Sequence, residues 1–153
     1  MPSEFIKRQK NDLIRDFTSL GSLIGYILFL VFLLALGNFY LLRKAAIGLV
    51  LIYIVIIIIR TFYFKERPEK LSHKSYIDSI DASSFPSLHS ARISFLSAIL
   101  MKYYNNFYFS ILAAVILLAV CYSRIKLKKH DFADVSFGIL LGILAYFIIN
   151  HFF

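Results

Sequence analysis

Residues 45–64 form a run of twenty in which Arg60 is the sole charge. At about 1.5 Å of rise per residue this run spans about 30 Å as a helix, the thickness of a bilayer's hydrocarbon core. Inside lipid every backbone N–H and C=O must be satisfied within the segment or in a closed barrel, so an uninterrupted apolar run of this length dictates helix. Four further windows, at about residues 20–42, 87–104, 106–122 and 134–153, read the same way. In a chain of 153 residues that is 59% hydrophobic, so much apolar surface cannot be hidden in a soluble core. We therefore read an all-α integral membrane helix bundle of about five transmembrane helices. The third window carries His89 and Arg92 and must be shielded by its neighbours.

Residues 1–19 follow a different pattern. Phe5, Ile6, Leu13, Ile14 and Phe17 recur at helical spacing among Lys7, Arg8, Lys10, Asp12, Arg15 and Asp16, which predicts an amphipathic helix lying in the interface. No small-residue cleavage pattern follows, so the segment reads as retained, and residues 1–153 read as a single membrane-embedded domain with a transmembrane core over 20–153. Cys121 is the only cysteine, which rules out an intramolecular disulfide and fits a small apolar helix residue. Tyr63, Tyr103, Tyr104 and Tyr122 stand at run ends, where aromatic belts form.

Most of the polar material lies in two segments, about 65–86 and 123–133, and five spans put both on one membrane face. Arg60 and Arg67 are seven apart, within about 20° on one helix face, and Pro68 ends that helix at Arg67. Either arginine alone reads better as interfacial snorkelling, but two fixed cations at a bundle mouth call for an anion. In Ser84-Phe85-Pro86-Ser87-Leu88-His89, a proline and a serine at a helix start offer free N–H groups, a hydroxyl and the positive dipole end, an anion cradle from which His89 projects. Beyond Ser123-Arg124, His130 and Asp134 are four apart, a spacing that on a helix allows a carboxylate-to-imidazole hydrogen bond, and Asp131 would point elsewhere. An imidazole oriented in this way is a prepared nucleophile or base. Ionisable groups this close to lipid are costly, and their default reading is a functional site.

Taken jointly, Arg60 with Arg67-Pro68, then Pro86-Ser87-Leu88-His89, then Ser123-Arg124 with His130 and Asp134, resemble the signature of the type 2 phosphatidic acid phosphatase family, which includes polyprenyl diphosphate phosphatases. The resemblance covers about residues 60–134. It implies an integral membrane lipid phosphatase that removes a terminal phosphate from a lipid phosphate or polyprenyl diphosphate through a phosphohistidine. His130 would be the nucleophile, Asp134 would hold its other ring nitrogen, and His89 would be the general acid and then the base. Arg60, Arg67, Arg124, Ser87 and the Leu88 N–H would hold the phosphoryl oxygens. Three arginines can stabilise charge on the equatorial oxygens, and no cofactor or metal is implied. His73 and His151 lack paired ligands at metal spacing, and Asp78 and Asp81 fall in a loop.

The sequence departs from the family pattern at two positions. Arg60 replaces a lysine and keeps its charge in a wider planar fork. Leu88 replaces a glycine that permits close approach to phosphate and unusual torsions, so the leucine side chain is expected to turn away from the anion toward lipid. This substitution motivates the alternative of a catalytically weak or silent lipid-phosphate-binding membrane protein. A transporter would need its charges along a pore, whereas here they gather at one face. Many family members have six membrane helices, so this chain would lack the first. The expected partners are the bilayer and a membrane lipid phosphate rather than nucleic acid, since the net charge of +8 sits between membrane spans. No residue pattern specifies an oligomeric state. Basic residues outnumber those of the opposite face (Arg43, Lys44 and Lys102) around the motifs, so the positive-inside rule favours a multi-pass cell-membrane protein with a cytoplasmic active site, although an anionic headgroup would also attract them.

Overall fold

The computed structural model describes residues 12–68, 80 and 82–153, which form six helices. They are α1 (Asp12–Leu20), α2 (Leu23–Ala35), α3 (Phe39–Phe62), α4 (Leu88–Tyr104), α5 (Phe107–Lys126) and α6 (Phe132–Phe152). The first part of the expected interfacial helix, and His73, Asp78 and Asp81, lie outside the described residues. α3, α5 and α6 are each long and apolar enough to cross a membrane. α1 and α2 meet that test only together and are bent by 52° at the break between them. The chain is an all-helical, multi-pass membrane bundle.

The helix boundaries follow local capping more closely than hydropathy. At the break after α1, the Ser22 hydroxyl accepts the Gly25 N–H at 3.0 Å and starts α2. The expected window over 20–42 ends early, because Gly37 takes φ +66 and Asn38 then caps α3 by accepting the Leu41 N–H at 3.1 Å. The pair Arg43-Lys44, expected between two spans, therefore lies inside α3. Lys44 reaches the Tyr40 hydroxyl at 2.6 Å and Asn150 Oδ1 at 3.3 Å, a snorkelling arrangement at the end of the bundle. At its other end α3 stops at Phe62, and Tyr63 is extended. Arg67 is thus off the helix that carries Arg60, and the shared helix face expected for the two does not form.

α4 is the central helix and packs against α3, α5 and α6. Its Ser90, Ala91, Arg92, Ser94, Phe95 and Ser97 are all buried, which is how a helix this polar is shielded inside a membrane protein. Around it α3, α5 and α6 turn residues such as Ile57, Val115 and Leu140 outward. Lipid is as apolar as leucine, so burial of aliphatic surface drives helix association little, and close packing of small residues carries it instead. Gly138 and Gly142 provide that contact. A Cβ built on Gly138 would stand 2.5 Å from the Ser87 carbonyl oxygen, and one on Gly142 would overlap the Ala91 carbonyl. Both obstacles are backbone and cannot rotate aside. Ser94 seals the same seam by donating to the Ile139 carbonyl at 3.0 Å.

We therefore expect Gly142→Ala to force α4 and α6 apart at a cost of about 1 to 3 kcal/mol, the usual range for overpacking. Thermal denaturation in detergent should show a lowered midpoint, and an unchanged midpoint would mean that the seam has slack.

Candidate active site

Two connections bring the polar segments together. After α5, Lys128 adopts φ +53, and the Lys129 and His130 amides fold back to the Arg124 carbonyl at 3.1 and 3.3 Å, so His130 returns beneath Arg124. On the other side Ser84 is pinned, its N–H to the Lys65 carbonyl at 2.8 Å and its hydroxyl to the Glu66 carbonyl at 3.2 Å. The Ser87 N–H donates to the Asp134 carbonyl at 3.0 Å and joins the start of α4 to the first turn of α6.

Arg60, Arg67, Arg124, His89 and His130, distant in sequence, all line one cavity of about 380 Å³, together with Leu23, Tyr53, Leu88 and Arg92. Among the described residues, no carboxylate lines it. Arg60 is held by the Ile80 and Pro86 carbonyls at 2.9 and 3.0 Å. Arg124 is buried, and its Nε has no hydrogen-bond partner among the described residues. The amides of Leu88 and His89, first in α4, also have none. A desolvated guanidinium lining a cavity beside a helix start whose first amides have no partner among the described residues makes a strong site for an anion.

The His130 ring is oriented differently from the expectation. Its Nδ1 lies 2.8 Å from the Ser84 carbonyl oxygen and 3.7 Å from Asp134 Oδ2, too far for a hydrogen bond. The Ser84 carbonyl can only accept, so Nδ1 carries the proton and Nε2 keeps its lone pair. Asp134 is fully buried and lies in the first turn of α6, with His130 in the loop before it, so the two do not share a helix. Asp131 caps α6: its Oδ1 accepts the Asp134 N–H at 2.9 Å and Asp134 Oδ2 accepts the Asp131 N–H at 3.1 Å, a reciprocal capping box. Lys65 joins the two acids, with Nζ 2.6 Å from Asp131 Oδ2 and 2.7 Å from Asp134 Oδ1.

Ser87 also takes another role. Its hydroxyl caps α4, 3.4 Å from the Ser90 N–H and 3.0 Å from the Ser90 hydroxyl, and it does not line the cavity. Leu88 does not turn toward lipid; it lines the cavity and packs on the core formed by residues such as Ile56 and Phe95. Sequence reasoning missed Lys65, the Ser84 carbonyl, and the presence of Arg92 and Tyr53 in the cavity. A signal for Arg92 existed in its position one turn beyond His89.

These features define a membrane helix bundle with two histidines and four guanidinium groups around one cavity. The PAP2 superfamily model matches residues 41–153, and the chain belongs to that superfamily. Two solved structures share the fold. One is a transmembrane PAP2-type phosphatidylglycerolphosphate phosphatase from Bacillus subtilis, with TM-score 0.76 and 24% identity over 94% of this chain and 76% of that one. The other is LpxE from Aquifex aeolicus, with TM-score 0.78 and 20% identity over 94% of this chain and 87% of that one.

Burial holds His130 below the usual imidazole range; Asp134 opposes this shift, and the charges of Arg124 and Arg67 add to it. Lys65 balances the Asp134 charge, so Lys65→Met should move the His130 titration midpoint up, while Asp134→Asn should move it down. Histidine NMR in micelles reads both shifts, and a midpoint indifferent to both changes would show that the carboxylate is not coupled to the ring.

Proposed function

We propose that this protein is a lipid phosphatase that removes a terminal phosphate through a phosphohistidine, with no metal. One observation carries the reading: the free Nε2 of His130, the imidazole of His89 and the guanidinium groups belong to one cavity, with the nucleophile's other nitrogen already committed to Ser84. Arg60, Arg67, Arg124 and the Leu88 and His89 amides hold the phosphoryl oxygens. His130 Nε2 attacks phosphorus as the P–O bond to the lipid breaks, and His89 gives its proton to the leaving oxygen. The ring becomes cationic on attack, and the Ser84 carbonyl and the Asp134 charge stabilise it. His89, now neutral, takes a proton from water; the resulting hydroxide displaces His130 and phosphate leaves.

An apolar cavity on the same bundle supports a substrate with a lipid tail. An apolar cavity of about 230 Å³ lies between α2, α4 and α5, walled by Phe29, Ile93, Leu96, Phe109 and Leu112. The Bacillus subtilis protein of like fold is a phosphatase for phosphatidylglycerolphosphate, whose phosphate also ends an apolar anchor. Purified protein in detergent with excess chelator should release inorganic phosphate from such lipids. His130→Ala should abolish release, and His89→Ala should lower it by about 10² to 10⁴-fold, the usual worth of a positioned general acid. Lipid binding without turnover in the native protein would favour the silent alternative.

We further propose that the active site faces the cytoplasm. Lys65, Lys126, Lys128 and Lys129 border it, against Arg43, Lys44 and Lys102 at the other end. With Cys121→Ser as background, Lys128→Cys should react with an impermeant maleimide only after cells are permeabilised. Efficient labelling of intact cells would place the site outside.

A further inference from the structure

Arg92 is the guanidinium in the cavity that this mechanism leaves without work. It is 3% exposed, on the central helix, among spans that offer it no carboxylate. Its Nε donates to the Leu88 carbonyl at 3.3 Å and its Nη1 to the Tyr53 hydroxyl at 3.3 Å, with the guanidinium carbon 5.8 Å from the centre of the Tyr53 ring. Among the described residues Nη2 has no hydrogen-bond partner and Arg92 has no ion pair. A cation buried this deeply against neutral partners alone is costly. It is also fixed, since two long contacts and an aromatic face hold the fork toward the cavity it lines.

Its place along the reaction axis gives it a use. α4 starts at the phosphoryl-binding end and runs into the bundle, so the backbone of Arg92 lies one turn past that of His89, about 4.5 Å further along. His89 protonates the oxygen that leaves, and His130 attacks from the opposite side. Whatever is bonded to the leaving oxygen therefore lies beyond His89, on the Arg92 side. In a lipid monophosphate that group is a neutral carbon chain, and Arg92 would stay uncompensated. In a lipid diphosphate it is the inner phosphate.

We infer that the substrate is a lipid diphosphate, and that Arg92 with Tyr53 binds its inner phosphate as a specificity-determining pair. The inference rests on the phosphatase reading and adds the substrate class. His130 Nε2 bonds to the outer phosphorus, the bridging P–O bond breaks, and the electron pair and the His89 proton go to the departing lipid monophosphate. Its charge is met by Arg92 as it forms. Water then completes the cycle, and the products are a lipid monophosphate and inorganic phosphate.

The test compares three substrates in mixed micelles: a prenyl diphosphate, the matching prenyl monophosphate, and phosphatidylglycerolphosphate, whose second phosphate is a diester set further from the terminal one. The native protein should prefer the diphosphate in kcat/KM. Arg92→Gln should lower kcat/KM for the diphosphate by about 10 to 100-fold, the usual worth of a hydrogen bond to a charged group, and change the two other substrates by less than about threefold. Tyr53→Phe, which is nearly isosteric, should cause a smaller loss confined to the same substrate and so separates the effect from misfolding. Equal losses on all three substrates, or native preference for either of the others, would overturn the inference while leaving the phosphatase reading standing. Release of phosphate from none of them by the native protein would overturn both.

Discussion

The site depends on how closely α4 and α6 approach. Side chains at positions 138 and 142 would collide with the backbone of Ser87 and Ala91, and with glycine there the helices meet almost backbone to backbone. Only at that separation can the Ser87 N–H reach the Asp134 carbonyl at 3.0 Å. This bond fixes the N-terminus of the helix that carries His89 against the first turn of the helix that follows His130. One imidazole comes from the first turn of α4 and the other from the loop that precedes α6, and this seam makes their relation rigid. The seam also explains why α4 tolerates Ser90 and Ser94 in a membrane protein: their hydroxyls find partners in Ser87 and the Ile139 carbonyl rather than in lipid.

The second organising feature is the separation of charge. Guanidinium groups line the cavity, while Asp131 and Asp134 stand on the other side of His130, with Lys65 bridging them. A carboxylate inside the cavity would neutralise an arginine and repel an anionic ligand. Lys65, with the capping box, gives the buried Asp134 enough donors to remain ionised without taking up a cavity arginine. Asp134 then acts on His130 through its charge at 3.7 Å, while the Ser84 carbonyl decides which ring nitrogen holds the proton. The orientation expected from the carboxylate comes from the Ser84 carbonyl instead, and Asp134 contributes its charge.

Hydropathy made the membrane helices legible, because only a long apolar run can satisfy its backbone in lipid. Their ends were less legible where a single cap decides, as at Gly37-Asn38, where hydropathy continues through a break in geometry. The convergence of Arg60, Arg67, Arg124, His89 and His130 was legible through the resemblance of their joint pattern to a family signature, even though Arg60 and Arg67 proved not to share a helix face. Ser84 was illegible because a backbone carbonyl leaves no trace in residue identity. Lys65 is separated from Asp134 by 69 residues, a pairing no local spacing rule can reveal. Ser87 was misread for a chemical reason: the hydroxyl that suits a phosphate equally suits a helix N-cap, and the cap is its partner here.

Leu88 shows how a departure from a family pattern is weighed against geometry. Glycine matters where the backbone needs positive φ, and among the described non-glycine residues only Asn105 and Lys128 adopt it. Leu88 is the first residue of α4, in ordinary helical conformation, so a side chain there adds no backbone strain. Its amide has no partner among the described residues, and its carbonyl accepts from Arg92 Nε. The leucine therefore alters the wall of the cavity and leaves its torsions alone. It adds an apolar side chain to a cavity wall that also includes Leu23, while its carbonyl still accepts from Arg92 Nε.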